Sequence, residues 1–517
     1  MVKAWLPYLI FEETRDLYAC CLWQMKHRKF LKIRETVSEK DKSDMTTSKT
    51  KEIDMLNGRL LPKILLFSLP LAASSILQLL FNAADTIIVG KFAGNDALAA
   101  VGSTAALVQL LVGAFLGFSL GANITVARRV GSGDNGRANR AAHTAVVFSA
   151  ILGIFLMAVG LIFSEPLLRL MDTPENILPS AALYLRIYFL GIPASLIYNF
   201  AAAVLRAVGD TRRPLLYLTV SGVVNVVLNL VFVICFHMDV VGVAIATAFS
   251  QVVSMVLIIR GLMLDTGACR FRFRSLCMDA QELSTICRFG IPACLQNILV
   301  SSSDVLIQSA LNSFGSSLII AANSATGSIN SFTWNSMNAV SHAATSFASQ
   351  NFAAGNRKRV AETLQACLLA VTMIALPMSG LPCIFHDSLL GLYLDRSDPN
   401  FAQILQYGSV RMFWVGIPYF LCGYIDVLCG MVRGLGSSWL PTIGTLTCTS
   451  ALRVIWIFTI FRQFHTLDHL YLCYPASFVA TLLFYFICYI WQMKHYKFPK
   501  TRPMDSQKEE SLCESST

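Results

Sequence analysis

The 517-residue chain is 55% hydrophobic and 14% charged, with a mean hydropathy of +0.58, whereas ordinary soluble domains are about 25% charged. A chain this long and this apolar does not stay dissolved, which excludes a soluble enzyme or scaffold and points to a membrane protein. The net charge of +10 is of the size that basic membrane rims supply, and no nucleic-acid partner is expected.

Residues 1–57 read as a cytoplasmic N-terminal extension. The early apolar run Trp5–Phe11 stops at Glu12-Glu13 and is too short for a cleavable leader. Trp23-Gln-Met-Lys-His-Arg-Lys-Phe30 nearly repeats Trp491-Gln-Met-Lys-His-Tyr-Lys-Phe498, with seven identities in eight. The extension is therefore expected to copy the tail of a neighbouring paralogue, with Met45 or Met55 as the ancestral start. A basic, aromatic helix lying on the membrane surface is the alternative.

From residue 58 onward, apolar runs of about 20 residues fit a bilayer core of about 30 Å. Twelve are expected: 63–90, 96–126, 139–163, 180–205, 214–236, 241–263, 286–313, 317–347, 360–384, 401–429, 438–461 and 467–491. The fold class is an all-α polytopic membrane protein. Six spans fall in an N-lobe (58–263), residues 264–285 form a linker, six spans fall in a C-lobe (286–491), and 492–517 are a tail. Arg128, Arg129, Arg137, Arg140, Arg206, Arg212, Arg213, Arg260, Arg270, Arg272, Arg274, Arg288, Arg357, Lys358, Arg359 and Arg433 crowd alternate loops, while the opposite loops carry Lys91, Arg169, Arg396 and Arg462. By the positive-inside rule both termini are cytoplasmic, with the chain in the inner (plasma) membrane.

The two lobes are copies in the same order. Arg186-Ile-Tyr-Phe-Leu-Gly-Ile-Pro193 matches Arg411-Met-Phe-Trp-Val-Gly-Ile-Pro418 at an offset of 225, from residue 193 to 418. Arg206 and Pro214 match Arg433 and Pro441 at 227, while Pro70 matches Pro292 and Gly133 matches Gly355 at 222. A near-constant shift over unlike landmarks is the mark of an internal repeat, and parallel repeats in a membrane protein imply two pseudo-symmetric six-helix lobes around a cleft.

Polar residues within spans are costly, on the order of 3 kcal/mol for a charge by insertion scales, so each calls for a role. Ser74, Gln78, Asn82 and Asp85 share one face of the first span, and Ser221, Asn225 and Asn229 share one face of the fifth. Counting along the helices puts Asp85 and Asn229 at one depth. A carboxylate flanked by amide oxygens suits a small cation, Na⁺ or a proton; alternatively Asp85 only ties helices together. Asp85, Asn225, Asn229 and Asn82 are the cation-coupling candidates. In the C-lobe, the seventh span carries Asn297 and Asp304, and the eighth is rich in Asn, including Asn330; these, with Gln78 and Asp426, are the substrate-cleft candidates. Asp426 shares a face with Arg433 and could simply pair with it. Arg206, Arg433 and Arg453 read as rim or inter-helix anchors. Tyr198, Phe200, Phe332, Trp334 and Trp414 could line a cleft for flat cations. Pro70, Pro193 and Pro418 are hinge candidates, because proline removes a helical hydrogen bond.

The fifteen cysteines are scattered, with no spacing for a metal. No His/Cys/Ser constellation and no Gly-x-x-x-x-Gly-Lys-Ser/Thr loop argues for an enzyme or for ATP. No cofactor is expected beyond the coupling ion.

Asn82-Ala-Ala-Asp85-Thr-Ile-Ile-Val-Gly90, Gly131-Ser-Gly-Asp134, the paired Gly-Ile-Pro, Leu205-Arg-Ala-Val-Gly-Asp210 and Asn225-Val-Val-Leu-Asn229 resemble the multidrug and toxic compound extrusion (MATE) transporters of prokaryotic type. The resemblance covers about 57–495. It implies two six-helix lobes around a V-shaped cleft and export of small organic cations, including drugs, in antiport with Na⁺ or H⁺. A monomer embedded in the lipid bilayer is expected. Asp85 matches the family's acidic residue on the first span and Asn225 its asparagine on the fifth. Asn229 stands where prokaryotic relatives often carry Asp. The Glu that some relatives use in the C-lobe falls at Val300 and their Asp at about Cys422, so the resemblance directs coupling to Asp85. A lipid-linked oligosaccharide flippase of the same superfamily is the alternative, although such proteins usually add helices and several cleft arginines.

Overall fold

The computed structural model describes residues 52–499 apart from 172 and 394–398; the copied segment Trp23–Phe30, the rest of 1–44 and the end of the tail lie outside the described residues. Within them the chain forms twelve long helices: α1 (Leu60–Ala93), α2 (Asn95–Gly131), α3 (Asn135–Leu170), α4 (Leu178–Ala207), α5 (Arg212–Cys235), α6 (Asp239–Met263), α7 (Ala280–Asn312), α8 (Ser317–Ala353), α9 (Arg357–Ile384), α10 (Phe401–Gly434), α11 (Trp439–Phe461) and α12 (Leu467–His495). A short helix, His386–Tyr393, follows α9.

Eleven of the twelve are long and apolar enough to cross a membrane. The exception is α8, whose 37 residues are rich in Asn and Ser. It packs on α1, α2, α9 and α10, and from Ala339 to Asn351 every residue except His342 is buried. Protein takes the place of lipid around this span, as its polarity requires.

The repeat is visible in how equivalent helices start. Asp134 accepts a hydrogen bond from the Arg137 N–H at 2.8 Å, and Asn356 accepts one from Arg359 at 3.0 Å. Each cap follows a glycine in the left-handed region, Gly133 at φ +75° and Gly355 at φ +76°. A Cβ at either position would be strained.

The first helix of each half begins in the other half. Along α1, Leu60, Ile64, Phe67 and Leu71 bury against Met337, Phe347, Cys367 and Tyr485 of the C-lobe. Met55, before α1, is 1% exposed in the same core. Asn351 Nδ2 donates to the Met55 carbonyl at 3.2 Å and Arg359 to that of Asn57 at 2.7 Å. In return, Phe289 and Ala293 of α7 pack on Leu120 and Ile124 of α2, Arg129 pairs with the buried Glu282 at 3.0 Å, and Arg137 donates to Gln281 at 2.7 Å. Asp279 caps α7; the N–H groups of Glu282 and Gln281 hold its carboxylate below the usual range.

The same symmetry ties the lobes together at the end bearing the basic loops. Arg128 donates to the Gly434 carbonyl at 3.2 Å and Gln350 to the Ala207 carbonyl at 2.6 Å. These are one contact made twice, since 350 lies 222 after 128 and 434 lies 227 after 207. Among the described residues, the hydrogen bonds between the lobes lie in this basic half of the helices or, for Asn297 to the Gly113 carbonyl, at their middle. Beyond it α1 returns to α5 and α7 to α11, so the lobes part and leave a cleft toward the opposite end.

Of the three prolines considered as hinges, Pro70 and Pro193 sit inside unbroken helix. Around Pro418, α10 widens to π geometry at Met412–Gly416 and then tightens to a 3₁₀ turn at Ile417–Tyr419. Such mid-helix irregularities carry weaker hydrogen bonding.

Candidate functional site

The polar faces of α1 and α5 meet. Asn229 Nδ2 donates to Asp85 Oδ1 at 2.5 Å and lies 3.5 Å from Asn225 Oδ1; Asn225 Nδ2 in turn approaches Thr247 Oγ1 of α6 at 3.4 Å. Asn225 is 5% exposed and Asn229 fully buried, while Asp85 is half-buried. Both helices widen into π turns just past the site, α1 at Val89–Ala93 and α5 at Val231–Cys235, and the two wide turns touch. Burial of α5 against α6 and of α1 against α5 holds the three side chains in place.

The oxygens outnumber the donors here. Asn229 Oδ1 is buried and takes no hydrogen bond, while Nδ2 of the same amide is the atom that faces the oxygens of Asp85 and Asn225. A buried, unsatisfied amide oxygen beside a carboxylate is costly unless something electropositive completes it. A carboxylate with amide oxygens on the neighbouring helix offers the hard ligands that Na⁺ takes, and a carboxylate shielded from water can hold a proton. Tyr184 of α4, stacked on Tyr188 at 6.4 Å, lies within electrostatic reach of Asp85.

The other candidates scatter. Asn82, one turn before Asp85, and Gln78 have exposed side chains on α1 and do not join the oxygen set. Asn297 is committed to the lobe interface, donating to the Gly113 carbonyl at 2.7 Å. Asp304 pairs with Arg453 at 3.2 Å, and with Asn330 it lines a separate C-lobe cavity of about 260 Å³. Asp426 does not pair with Arg433 within 4.0 Å among the described residues; Arg433 donates instead to Gln296 at 2.6 Å, and Asp426 Oδ2 is left buried without a partner. Arg433 and Arg453 thus anchor one helix to another, as their positions suggest.

Two aromatic candidates are core or structural residues. Phe200 is fully buried between Phe118 and Phe148, and Tyr198 donates to the Pro214 carbonyl at 3.0 Å. Trp414 donates to Asp468 at 2.7 Å, and Trp334 stays 43% exposed. Thr247 and Tyr184 were missed: each is a single polar group in an apolar span, with no spacing to single it out. Arg411 was read only as a repeat landmark, and the cavity it lines was not anticipated.

Two six-helix halves around a cleft, with a carboxylate and unsatisfied amide oxygen inside one of them, define a multi-span membrane transporter. The MatE family model matches residues 70–231 and 292–459, once in each half, and the chain belongs to this family of multidrug and toxic compound extrusion transporters. "Probable multidrug resistance protein YoeA" of Bacillus subtilis (strain 168) is 29% identical over 444 residues, covering 83% of this chain and 94% of that protein. "Probable multidrug resistance protein YpnP" of the same organism is 29% identical over 388 residues, covering 75% and 85%. A solved structure described as the outward-facing conformation of a multidrug resistance MATE family transporter superposes with a TM-score of 0.78 at 22% identity, covering 87% of this chain and 98% of that one.

Proposed function

We propose that the chain exports small organic molecules from the cell by alternating access, driven by entry of a cation, Na⁺ or H⁺, at Asp85, Asn225 and Asn229. The observation that carries this reading is the Asp85 carboxylate inside the N-lobe, met by the buried Asn229 amide whose Oδ1 takes no hydrogen bond. With the basic loops on the cytoplasmic side, the cleft opens outward, and Asp85 lies in its outer half where an external ion reaches it. Ion binding neutralises the carboxylate, and the wide turns of α1 and α5 shift the two helices. A ligand moves such an equilibrium only by its differential affinity for the two states, so ion and cargo favour opposite-facing forms. The family match in both halves and the two multidrug relatives favour small-molecule cargo over a lipid-linked oligosaccharide. Organic cations are the substrate class proposed; the relatives' names speak only of multidrug resistance.

The test is efflux from membrane vesicles with the Na⁺ and H⁺ gradients imposed separately. One gradient is expected to accelerate loss of a fluorescent organic cation several-fold. Identical efflux with and without either gradient would overturn coupling by these ions.

A further inference from the structure

The C-lobe cavity has the opposite polarity to the Asp85 site. Its approximate 260 Å³ are lined by Asp304, Gln308, Asn323, Asn330, Arg411 and Tyr474, among others. Arg411 is only 9% exposed. It donates to the Asn323 carbonyl at 2.8 Å and to Thr326 Oγ1 at 2.5 Å, its Nε has no partner, and no carboxylate of the described residues lies within 4.0 Å of it. Asn330 is 7% exposed, and its Nδ2 likewise has no acceptor.

Of the acceptors that line the cavity, three oxygens are already engaged. Gln308 Oε1 takes Asn323 Nδ2 at 3.0 Å, Asn323 Oδ1 takes the Tyr471 hydroxyl at 3.4 Å, and Asp304 Oδ1 takes Arg453 at 3.2 Å. Donors are therefore in excess around a buried guanidinium inside a membrane span. Leaving such a charge uncompensated costs several kcal/mol, on the order of 3 for removing one partner of a buried pair.

The repeat shows that this is a difference between the lobes. Arg186, matched to Arg411 at 225, is 43% exposed and pairs with Glu165 at 3.3 Å. Asp85 is matched at 222 by Ile307, an apolar residue in the wall of the cavity. One lobe carries surplus oxygens, the other surplus N–H groups.

We propose that this cavity binds the oxyanion group, carboxylate or phosphate, of a small organic molecule, with Arg411 and the Asn330 amide as its donors. The side chain of Asp304 is 59% exposed and stands ready for a cationic group of the same molecule. The cavity is smaller than the ~300–1,000 Å³ of drug-sized pockets, so it takes a head group or single ring. The inference deepens the export reading and rests on it: the cargo class widens from organic cations to amphoteric and anionic molecules.

The test is direct binding to the purified full chain in detergent, read by ¹⁹F line broadening of 4-fluorobenzoate and 4-fluorophenylphosphate, with 4-fluorobenzylamine as the cationic control. At least one oxyanion probe is expected to bind, and which one binds identifies the group. Asn330→Asp, which keeps the side-chain shape but replaces the donor with a charge, weakens that binding at least tenfold. Arg411→Gln does the same; if it fails to fold, Asn330→Asp decides alone. Binding survives Gly102→Leu, at a position where nothing lies within 4 Å. No binding of either probe at millimolar concentration, or binding unchanged in Asn330→Asp, overturns the proposal. The export reading fails separately, if neither ion gradient drives efflux, whatever these probes do.

Discussion

Asp85 and Asn229 differ by 144 positions in sequence and share a hydrogen bond, and each side chain is defined by what the other lacks. Asp85→Asn keeps shape and hydrogen-bonding capacity while removing the charge, so folding and insertion are expected to persist. Gradient-driven efflux of a fluorescent cation, measured in cells at matched membrane levels, should fall to background. If Asp85→Asn pumps like the parent while Asp304→Asn does not, coupling belongs to the C-lobe. Asn229→Ala removes one neutral ligand and should weaken ion dependence by a smaller factor, read as a higher ion concentration for half-maximal efflux. The spacing of polar residues on α1 and α5 made this pair legible, because 3.6-residue periodicity puts each set on one face of its helix and counting along the helices puts Asp85 and Asn229 at one depth. Arg411 was not legible for the opposite reason. Whether a guanidinium is paired depends on α7, α8 and α10 together, and its repeat mate Arg186 finds a carboxylate where Arg411 finds carbonyls.

At the level of helices, α2 and α7 come into close backbone approach. Gly113, Gly117 and Gly121 follow one another at four-residue spacing on α2, a small-residue stripe that lets backbones come close. A Cβ at Gly117 would run into the Ala293–Cys294 backbone, and one at Gly121 into that of Ile286 and Gly290. Gly121→Leu is therefore expected to force the helices apart and cost about 1–3 kcal/mol or more, seen as a lower thermal midpoint in detergent. Gly102→Leu, where nothing lies within 4 Å, serves as the matched control and should leave the midpoint unchanged. Equal midpoints for both would remove the close-packing argument. The stripe is present in the sequence, but a glycine every fourth residue does not say which helix it faces. Likewise the three prolines look alike as letters; only α10 departs from α geometry at its proline, since Pro418 follows a wide turn that Pro193, at the matching place in α4, does not have.

Across the whole molecule, the repeat offsets predicted two lobes, and the paired caps at Asp134 and Asn356 show the copies residue by residue. The exchange of first helices was not legible, because an offset records order along the chain and not which copy a helix packs on. Two predictions belong here. If Arg128 and Gln350 hold the basic end shut, Arg128→Ala combined with Gln350→Ala should open it. Alkylation of Cys294, which lies in the α2–α7 seam, should then speed up several-fold in peptide-level mass spectrometry; an unchanged rate would show that these two contacts do not control opening. Separately, a chain starting at Met45 is expected to insert and transport like the full chain, and failure of that truncation alone would reject the copied-tail reading of residues 1–44. The crossed first helices also carry a history. Among the described residues, Ile64, Phe67 and Leu71 of α1 share a core with residues that follow position 336 and with the chain's own start from Ile53 to Ala72, and α7 packs on α2 in the same way. A half-length forebear packed like this could not have been a closed monomer: two copies had to trade their first helices before either core was whole. In the present chain the linker over 264–279 joins the two halves, so that the exchange is made within one polypeptide.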